Sequence, residues 1–159
     1  MRRKTKAELI ADLFDAVRTN QLATDKMDDA AARGMGVNRT DARCLDIVER
    51  LGPVTAGRLS RDAGLSSGAV TAVIDRLVEK GYVRRVADPA DRRRVLIEQT
   101  EKLDEVSQRF YGPLALRAMP LIDKFSNAEL EAIVRFLKIG TDLVERRVAE
   151  LIEERSARS

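Results

Sequence analysis

SSGAVTAVIDRLVEKGYVRRVADPADRRRVLIEQT, from Ser66 to Thr100, changes its apolar period once, at Gly81. Before that glycine, Val70, Val73, Ile74, Leu77 and Val78 recur at helical spacing behind Ser66, a good N-cap, and Gly81 supplies the stop. After it, YVRRVAD and RVLIEQT are short β-branched runs joined by a Pro-Ala-Asp-Arg turn. They predict a β-hairpin with a long, basic tip. A helix that runs directly into such a hairpin decides how the rest of the chain is read.

Working upstream, Thr55 caps a short helix to about Ala63, and Gly64 closes it. Two helices that cross steeply through a tight turn need a small residue where they touch and a glycine in the turn, with apolar residues at fixed offsets. Leu59, Ser60, Ala63, Gly64, Leu65, Val70 and Val73 meet every one of those positions. The pair is a helix-turn-helix, and the hairpin behind it makes the unit winged. If Val70, Val73, Ile74 and Leu77 face inward, Gly68, Ala69, Ala72, Asp75 and Arg76 face outward, with Thr71 at the border. Ser66 and Ser67, at the helix N-terminus, offer hydroxyls and free N–H groups to a phosphate. A Gly68/Ala69/Ala72 surface approaches DNA closely and touches thymine methyls without a bidentate base contact, so base reading leans on Thr71 and Arg76. The other reading of Arg76 is a surface ion pair.

The flanks are helical. A helix from Thr40, read as its N-cap, to Leu51 carries Cys44, Leu45, Ile47 and Val48, and Gly52-Pro53 ends it. The first helix, about Thr5 to Ala32, presents Leu9, Ile10, Leu13, Phe14 and Val17 and ends near Gly34 and Gly36. Thr100 caps a helix with Leu103, Val106 and Phe110, in which Pro113 and Pro120 predict a bend or break. Ser126-Asn127-Ala128-Glu129 is a capping box that opens a last helix bearing Leu130, Ile133, Val134, Leu137, Val144, Val148, Leu151 and Ile152. The fold class is therefore mainly α with a small β-hairpin, a winged helix-turn-helix (37–100) flanked by N-terminal (1–36) and C-terminal (101–159) dimerisation helices. The terminal stripes are too apolar to stand alone. They fold back over the middle or pair with another copy.

Composition narrows the function. Among 159 residues, 44% are hydrophobic but only 4% aromatic, so aliphatic side chains build the core. Lys and Arg number 29 against 26 Asp and Glu, a net charge of +3. Between Tyr82 and Ile97, five arginines (Arg84, Arg85, Arg92, Arg93, Arg94) stand against Asp88 and Asp91, so that short segment carries as much net charge as the whole chain. A local basic cluster on a near-neutral protein points to a defined polyanion contact. His is absent and Cys44 is the single cysteine, which removes the usual zinc and iron ligand sets, His-based triads and internal disulfides. No nucleophile–base pair or phosphate-binding glycine loop is present, so the chain is read as no enzyme, with no cofactor and no metal. Glu8 and Asp12 interrupt the apolar residues of the N-terminus, and no stretch reaches the ~20 uncharged residues of a membrane span. A soluble, cytoplasmic protein without membrane attachment is the expectation.

The stretch from Ser66 to Thr100 resembles the MarR family of winged helix-turn-helix transcriptional regulators. Asp88-Pro89-Ala90-Asp91-Arg92-Arg93 gives the D-P-x-D-R-R run of the family's wing, Asp75-Arg76-Leu77 its recognition-helix motif, and Gly81-Tyr82-Val83 its turn into the hairpin. The flanking helices fall in the family's order but carry little specific sequence. The resemblance implies a homodimer interlocked through the N-terminal helix and the last two helices. Its two recognition helices would enter successive major grooves of double-stranded DNA, on an inverted repeat with half-sites about one helical turn apart. It also implies that Arg93 enters the minor groove, that Asp91 holds the wing by pairing with a nearby Arg, that Arg92 and Arg94 contact phosphates, and that Arg84 or Arg85 braces the acidic residues. Ala72 departs from the long basic or polar residue common at that position. A small aromatic or anionic effector between the dimerisation helices and the winged domain is implied too, although no residue picks a compound.

The whole reads as a dimeric, ligand-responsive repressor. Two other classes stay open: a winged helix that assembles with an acidic protein, which DNA binding in vitro with a steep salt dependence would separate from a DNA-binding one, and an RNA-binding module, disfavoured by the scarcity of aromatics for stacking. Cys44 reads as a small buried hydrophobe, with peroxide sensing as its alternative; the family's sensor cysteine lies in the first helix, where this chain has none.

Overall fold

Nine elements form in the computed structural model, which describes residues 2–156: α1 (Lys6–Met35), α2 (Arg39–Leu51), β1 (Val54–Thr55), α3 (Ala56–Ala63), α4 (Ser67–Glu79), β2 (Val83–Ala87), β3 (Val95–Gln99), α5 (Glu101–Ile122) and α6 (Asn127–Ser156). Each start has a local cause. The Thr5 hydroxyl accepts the Glu8 N–H at 3.2 Å while the Glu8 carboxylate accepts the Thr5 N–H at 2.7 Å, a capping box that starts α1. That helix runs past Ala32 to Met35 and stops at Gly36, whose φ of 66° is left-handed. The cap of α2 is Asn38, not Thr40: its side-chain oxygen takes the Asp41 N–H at 2.8 Å, which leaves Thr40 inside the first turn. Thr55 caps α3 as its position predicts, accepting the Arg58 N–H at 3.2 Å.

The turn between α3 and α4 is built by three residues. Gly64 adopts φ 66°, the Leu65 N–H donates to the Ser60 carbonyl at 2.9 Å, and the Ser60 hydroxyl donates to the Leu65 carbonyl at 2.6 Å. Leu45, Ile47 and Val48 of α2, Leu59 and Ala63 of α3, and Val70, Val73, Ile74 and Leu77 of α4 share one buried cluster with Tyr82, Val83, Ile97 and Leu103. Truncating an enclosed leucine such as Leu59 or Leu77 to alanine would cost about 2–5 kcal/mol.

The hairpin pairs Val83 with Gln99 through to Ala87 with Val95. A third strand joins it: Val54 lies opposite Ile97 and Thr55 opposite Leu96, so the antiparallel order is β1-β3-β2. Two residues are too few to show a period of two, which is why β1 is invisible in the sequence. One other expectation is corrected here. The break is not there: α5 is one helix from Glu101 to Ile122 with Pro113 and Pro120 inside it, since a proline lacks only its own backbone N–H. Thr100 does stand at the N-cap position of α5, its carbonyl accepting the Asp104 N–H at 3.3 Å, while its hydroxyl donates to the Gly81 and Tyr82 carbonyls at 2.7 and 3.1 Å and ties the foot of the hairpin to the start of α5.

By internal packing the chain falls into two units, one ending at Tyr111 and the other beginning at Gly112. The first contains the helix-turn-helix and the sheet. The Tyr82 hydroxyl donates to the Met35 carbonyl at 3.0 Å, anchoring the root of the wing to the end of α1. On α1 itself, Leu9, Ile10, Leu13 and Phe14 are exposed. The second unit has its own capping box, in which the Glu129 N–H donates to the Ser126 hydroxyl at 3.3 Å and the Ser126 N–H to the Glu129 carboxylate at 2.8 Å. Its helix α6 exposes Ile133, Val134, Leu137, Val144, Val148 and Leu151. Among the described residues no helix is long and apolar enough to cross a membrane.

Candidate nucleic-acid interface

The inward and outward faces of α4 divide as its spacing requires. Val70, Val73, Ile74 and Leu77 are at most 2% exposed, while Ser66, Ser67, Gly68, Ala69, Thr71 and Ala72 are all exposed. The Ser66 hydroxyl accepts the Ala69 N–H at 3.3 Å, so it serves as the helix cap, and the backbone N–H groups of the first turn stay directed outward. The Thr71 hydroxyl donates to the Ser67 carbonyl at 2.9 Å, which leaves its oxygen lone pairs and its methyl for a partner. A methyl added to Gly68 would meet nothing within 4 Å, so the chain itself does not need a glycine there. The result is a smooth strip of small side chains.

Beside it, backbone hydrogen bonds hold the wing tip. The Asp88 N–H donates to the Arg94 carbonyl at 3.0 Å, and the Arg94 N–H to the Asp91 carbonyl at 2.8 Å. Asp91 accepts the Arg93 N–H on its carboxylate at 3.1 Å. Its role in shaping the wing is therefore an Asx turn and not an arginine pair, because its short side chain reaches the backbone two residues on. The ion pair belongs to Asp88, which is buried, accepts the Ala90 N–H at 2.9 Å and lies 3.7 Å from Arg94 Nε. Arg92 and Arg93 are exposed and have no ion-pair partner among the described residues. Arg84 and Arg85 do brace carboxylates, but those are Glu98 at 2.9 Å and Asp75 at 2.5 Å, away from the tip.

Arg76 is drawn off the exposed strip. Its Nη2 lies 2.6 Å from Asp41 Oδ1 and its Nε 3.2 Å from Asp41 Oδ2, a two-pronged pair with a carboxylate only 2% exposed. That hydrogen bond raises the Arg76 pKa further, so the guanidinium is permanently charged. The ion pair open to Arg76 is formed, with a buried partner instead of a surface one, and the Arg76 side chain stays 43% exposed. Nothing local in the sequence marks Asp41, since the partners stand 35 residues apart.

Cys44 is wholly buried, and burial, followed by the nearby Asp41 charge, pushes its thiol up to about 11. A thiol so raised is a poor nucleophile at neutral pH. Among the described residues no three His, Cys, Asp or Glu side chains converge as a metal site.

Residues 37–95 match the model of the MarR family. The chain is 36% identical over 149 residues to YcgE, an HTH-type transcriptional regulator of Bacillus subtilis (strain 168), covering 94% of this chain and 97% of that protein. Among solved structures, a MarR family protein from Bacillus stearothermophilus superposes with a TM-score of 0.63 at 20% identity, over 89% of this chain and 99% of that one. Streptococcus pneumoniae FabT, solved in complex with DNA, superposes with a TM-score of 0.59 at 22% identity, over 88% and 98%. At those identities the two structures speak for the fold.

Proposed function

The chain belongs to the MarR family of transcriptional regulators, and on that premise we propose that it is a homodimeric repressor, released from an inverted-repeat operator by a small molecule. The observation that carries DNA binding is the pairing of an exposed small-residue face on α4 with a wing whose Arg92 and Arg93 are left unneutralised. Thr71, Ala69 and Ala72 approach base edges in the major groove, and the first turn of α4, at Ser66, Ser67 and Gly68, takes a phosphate. Arg93 enters the minor groove, where a narrow A·T-rich groove concentrates negative potential. Arg92 contacts phosphate, with Arg94, held by Asp88, beside it. Arg76 is engaged by Asp41 and contributes no base contact.

The exposed stripes on α1 and α6 support the dimer, since apolar surface of that extent on a free chain is covered by a second copy. The effector is a small aromatic or anionic molecule. The chain works in the cytoplasm, on chromosomal DNA. Selection of bound duplexes from a random pool tests the reading. An inverted repeat with half-sites about one helical turn apart, bound with a steep salt dependence, is the expected result. Sedimentation at low micromolar concentration should give one dimeric species, and a stable folded monomer would remove the dimer from the proposal.

A further inference from the structure

We infer that the Asp41–Arg76 pair sets the angle at which the recognition helix α4 is presented, which makes Arg76 a positioning residue for operator choice; the inference rests on the DNA-binding reading above. Asp41 sits in the first turn of α2, where Asn38 takes its N–H at 2.8 Å and the helix N-terminus favours a carboxylate. The backbone that carries the carboxylate is thus fixed by the cap, and Arg76 holds the carboxylate itself. Two parallel hydrogen bonds, at 2.6 and 3.2 Å, between a planar guanidinium and a planar carboxylate constrain orientation as well as distance. The aliphatic packing of α4 in the core, through Val73 and Ile74, constrains mainly volume.

The neighbouring residue ties α4 in another direction. Asp75 meets Arg85 of β2 at 2.5 Å, so one turn of the recognition helix is held to α2 through Arg76 and to the wing strand through Asp75. With Asp41 buried and the Arg76 side chain still 43% exposed, the pair adds little net stability over a packed apolar contact, so its distinctive contribution here is geometric. The face that Arg76 fixes carries only small side chains, Gly68, Ala69, Thr71 and Ala72, which cannot stretch to recover a contact after a tilt. Long side chains could. Angular control therefore matters more on this helix than on one that reads bases with arginines.

The test uses the full chain and four variants: Asp41→Asn, Arg76→Lys, Arg76→Gln and the Asp41→Asn/Arg76→Gln double. The probes are an inverted-repeat duplex selected by the wild type from a random pool and a scrambled duplex of equal length. Affinity is measured across a salt series, and thermal melts report the folded fraction. Each single variant should lose at least about tenfold in preference for the selected duplex, the scale of one good base contact, with an unchanged salt slope. The double should be no worse than the worse single, because both remove one interaction. Arg76→Lys keeps the charge, so the test survives if the neutral variants fold poorly.

Two results would overturn the proposal. A salt slope reduced by about one ion for Arg76→Gln, with tighter binding by Asp41→Asn, would make Arg76 a phosphate contact. Equal losses on both duplexes, in step with the folded fraction, would leave the pair a purely structural one. If the wild type enriches no duplex at all, the DNA-binding reading itself falls and takes this one with it.

Discussion

Gly34 of α1 lies flat against the ring of Phe110 in α5. A methyl placed on Gly34 would stand 2.7 Å from Phe110 Cε1, and closer still to Cζ. The glycine reads as a helix terminator, yet the helix runs through it to Met35 and is capped by Gly36, two residues on. Its purpose is close approach. Gly34→Ala should therefore destabilise the protein by about 1–3 kcal/mol through overpacking. In a Phe110→Ala background the collision is gone and only helix propensity remains, so the same substitution should stabilise by about 0.5–1 kcal/mol. Chemical denaturation of the four chains checks the reversal of sign.

Gly64 and Gly68 make a second contrasting pair. Neither would bring a new methyl within 4 Å of anything, so sterics cannot separate them. Gly64 has φ 66° and Gly68 is an ordinary helical residue. Gly64→Ala should cost about 1–2 kcal/mol, the left-handed penalty for an L-residue. Gly68→Ala should gain up to about 1 kcal/mol from helix propensity while adding a methyl to the DNA-facing strip. Thermal melts should move in opposite directions, and operator affinity should fall in the more stable Gly68→Ala chain.

What could be read in advance follows from how far each signal reaches along the chain. The helix-turn-helix was legible because its determinants, Leu59 through Val73, are local and periodic. The exposed face of α4 and the burial of Cys44 came from the same spacing. The two-residue β1 had no period to read, and the α2 cap was misplaced because Asn38 and Thr40 both qualify and only the Asp41 N–H decides between them. Asp88 and Asp91 are three residues apart on one turn, and which takes an arginine and which takes a backbone N–H depends on how the tip folds. The Asp41–Arg76 pair is long-range, which no local pattern shows.

The Cys44 thiol carries a pH signature. An unfolded thiol loses its proton near 8.5, but burial holds the folded one to about 11. Because the folded pKa is the higher of the two, this stabilisation is complete below about 8.5 and is lost as pH rises toward 11, a decline on the order of 3 kcal/mol. Cys44→Ala should flatten that part of the stability–pH curve, at some cost at neutral pH from the cavity it leaves. Native protein should alkylate slowly at pH 7, and peroxide should release DNA no faster from wild type than from Cys44→Ala. A release that needs the thiol would restore the sensing role.

DNA affinity should divide between wing and helix in a way that salt can resolve. The helix presents Gly68, Ala69, Thr71 and Ala72, none of which forms a bidentate base contact, whereas the wing leaves Arg92 and Arg93 uncompensated. Arg93→Ala should weaken operator binding by about 1–3 kcal/mol, the scale of a good groove contact, and should erase the preference for A·T-rich flanks, because a narrow minor groove then has no arginine to receive. Arg92→Ala should lower affinity for every sequence alike and reduce the salt slope by about one phosphate's worth. Arg94→Ala should act on the wing's shape as well as its charge, since Asp88 loses its ion-pair partner and the hydrogen bonds to backbone N–H groups at Asp88 and Asp91 must hold the tip. Thr71→Ala should relax choice within the half-site and leave the slope intact, for the Thr71 hydroxyl carries no charge and already donates to Ser67. Titrations of operator and scrambled duplexes at several salt concentrations separate these four signatures. Operator binding by Arg93→Ala as tight as that of the wild type would show that the wing does not enter the groove, and the basic tip would then be a phosphate contact throughout.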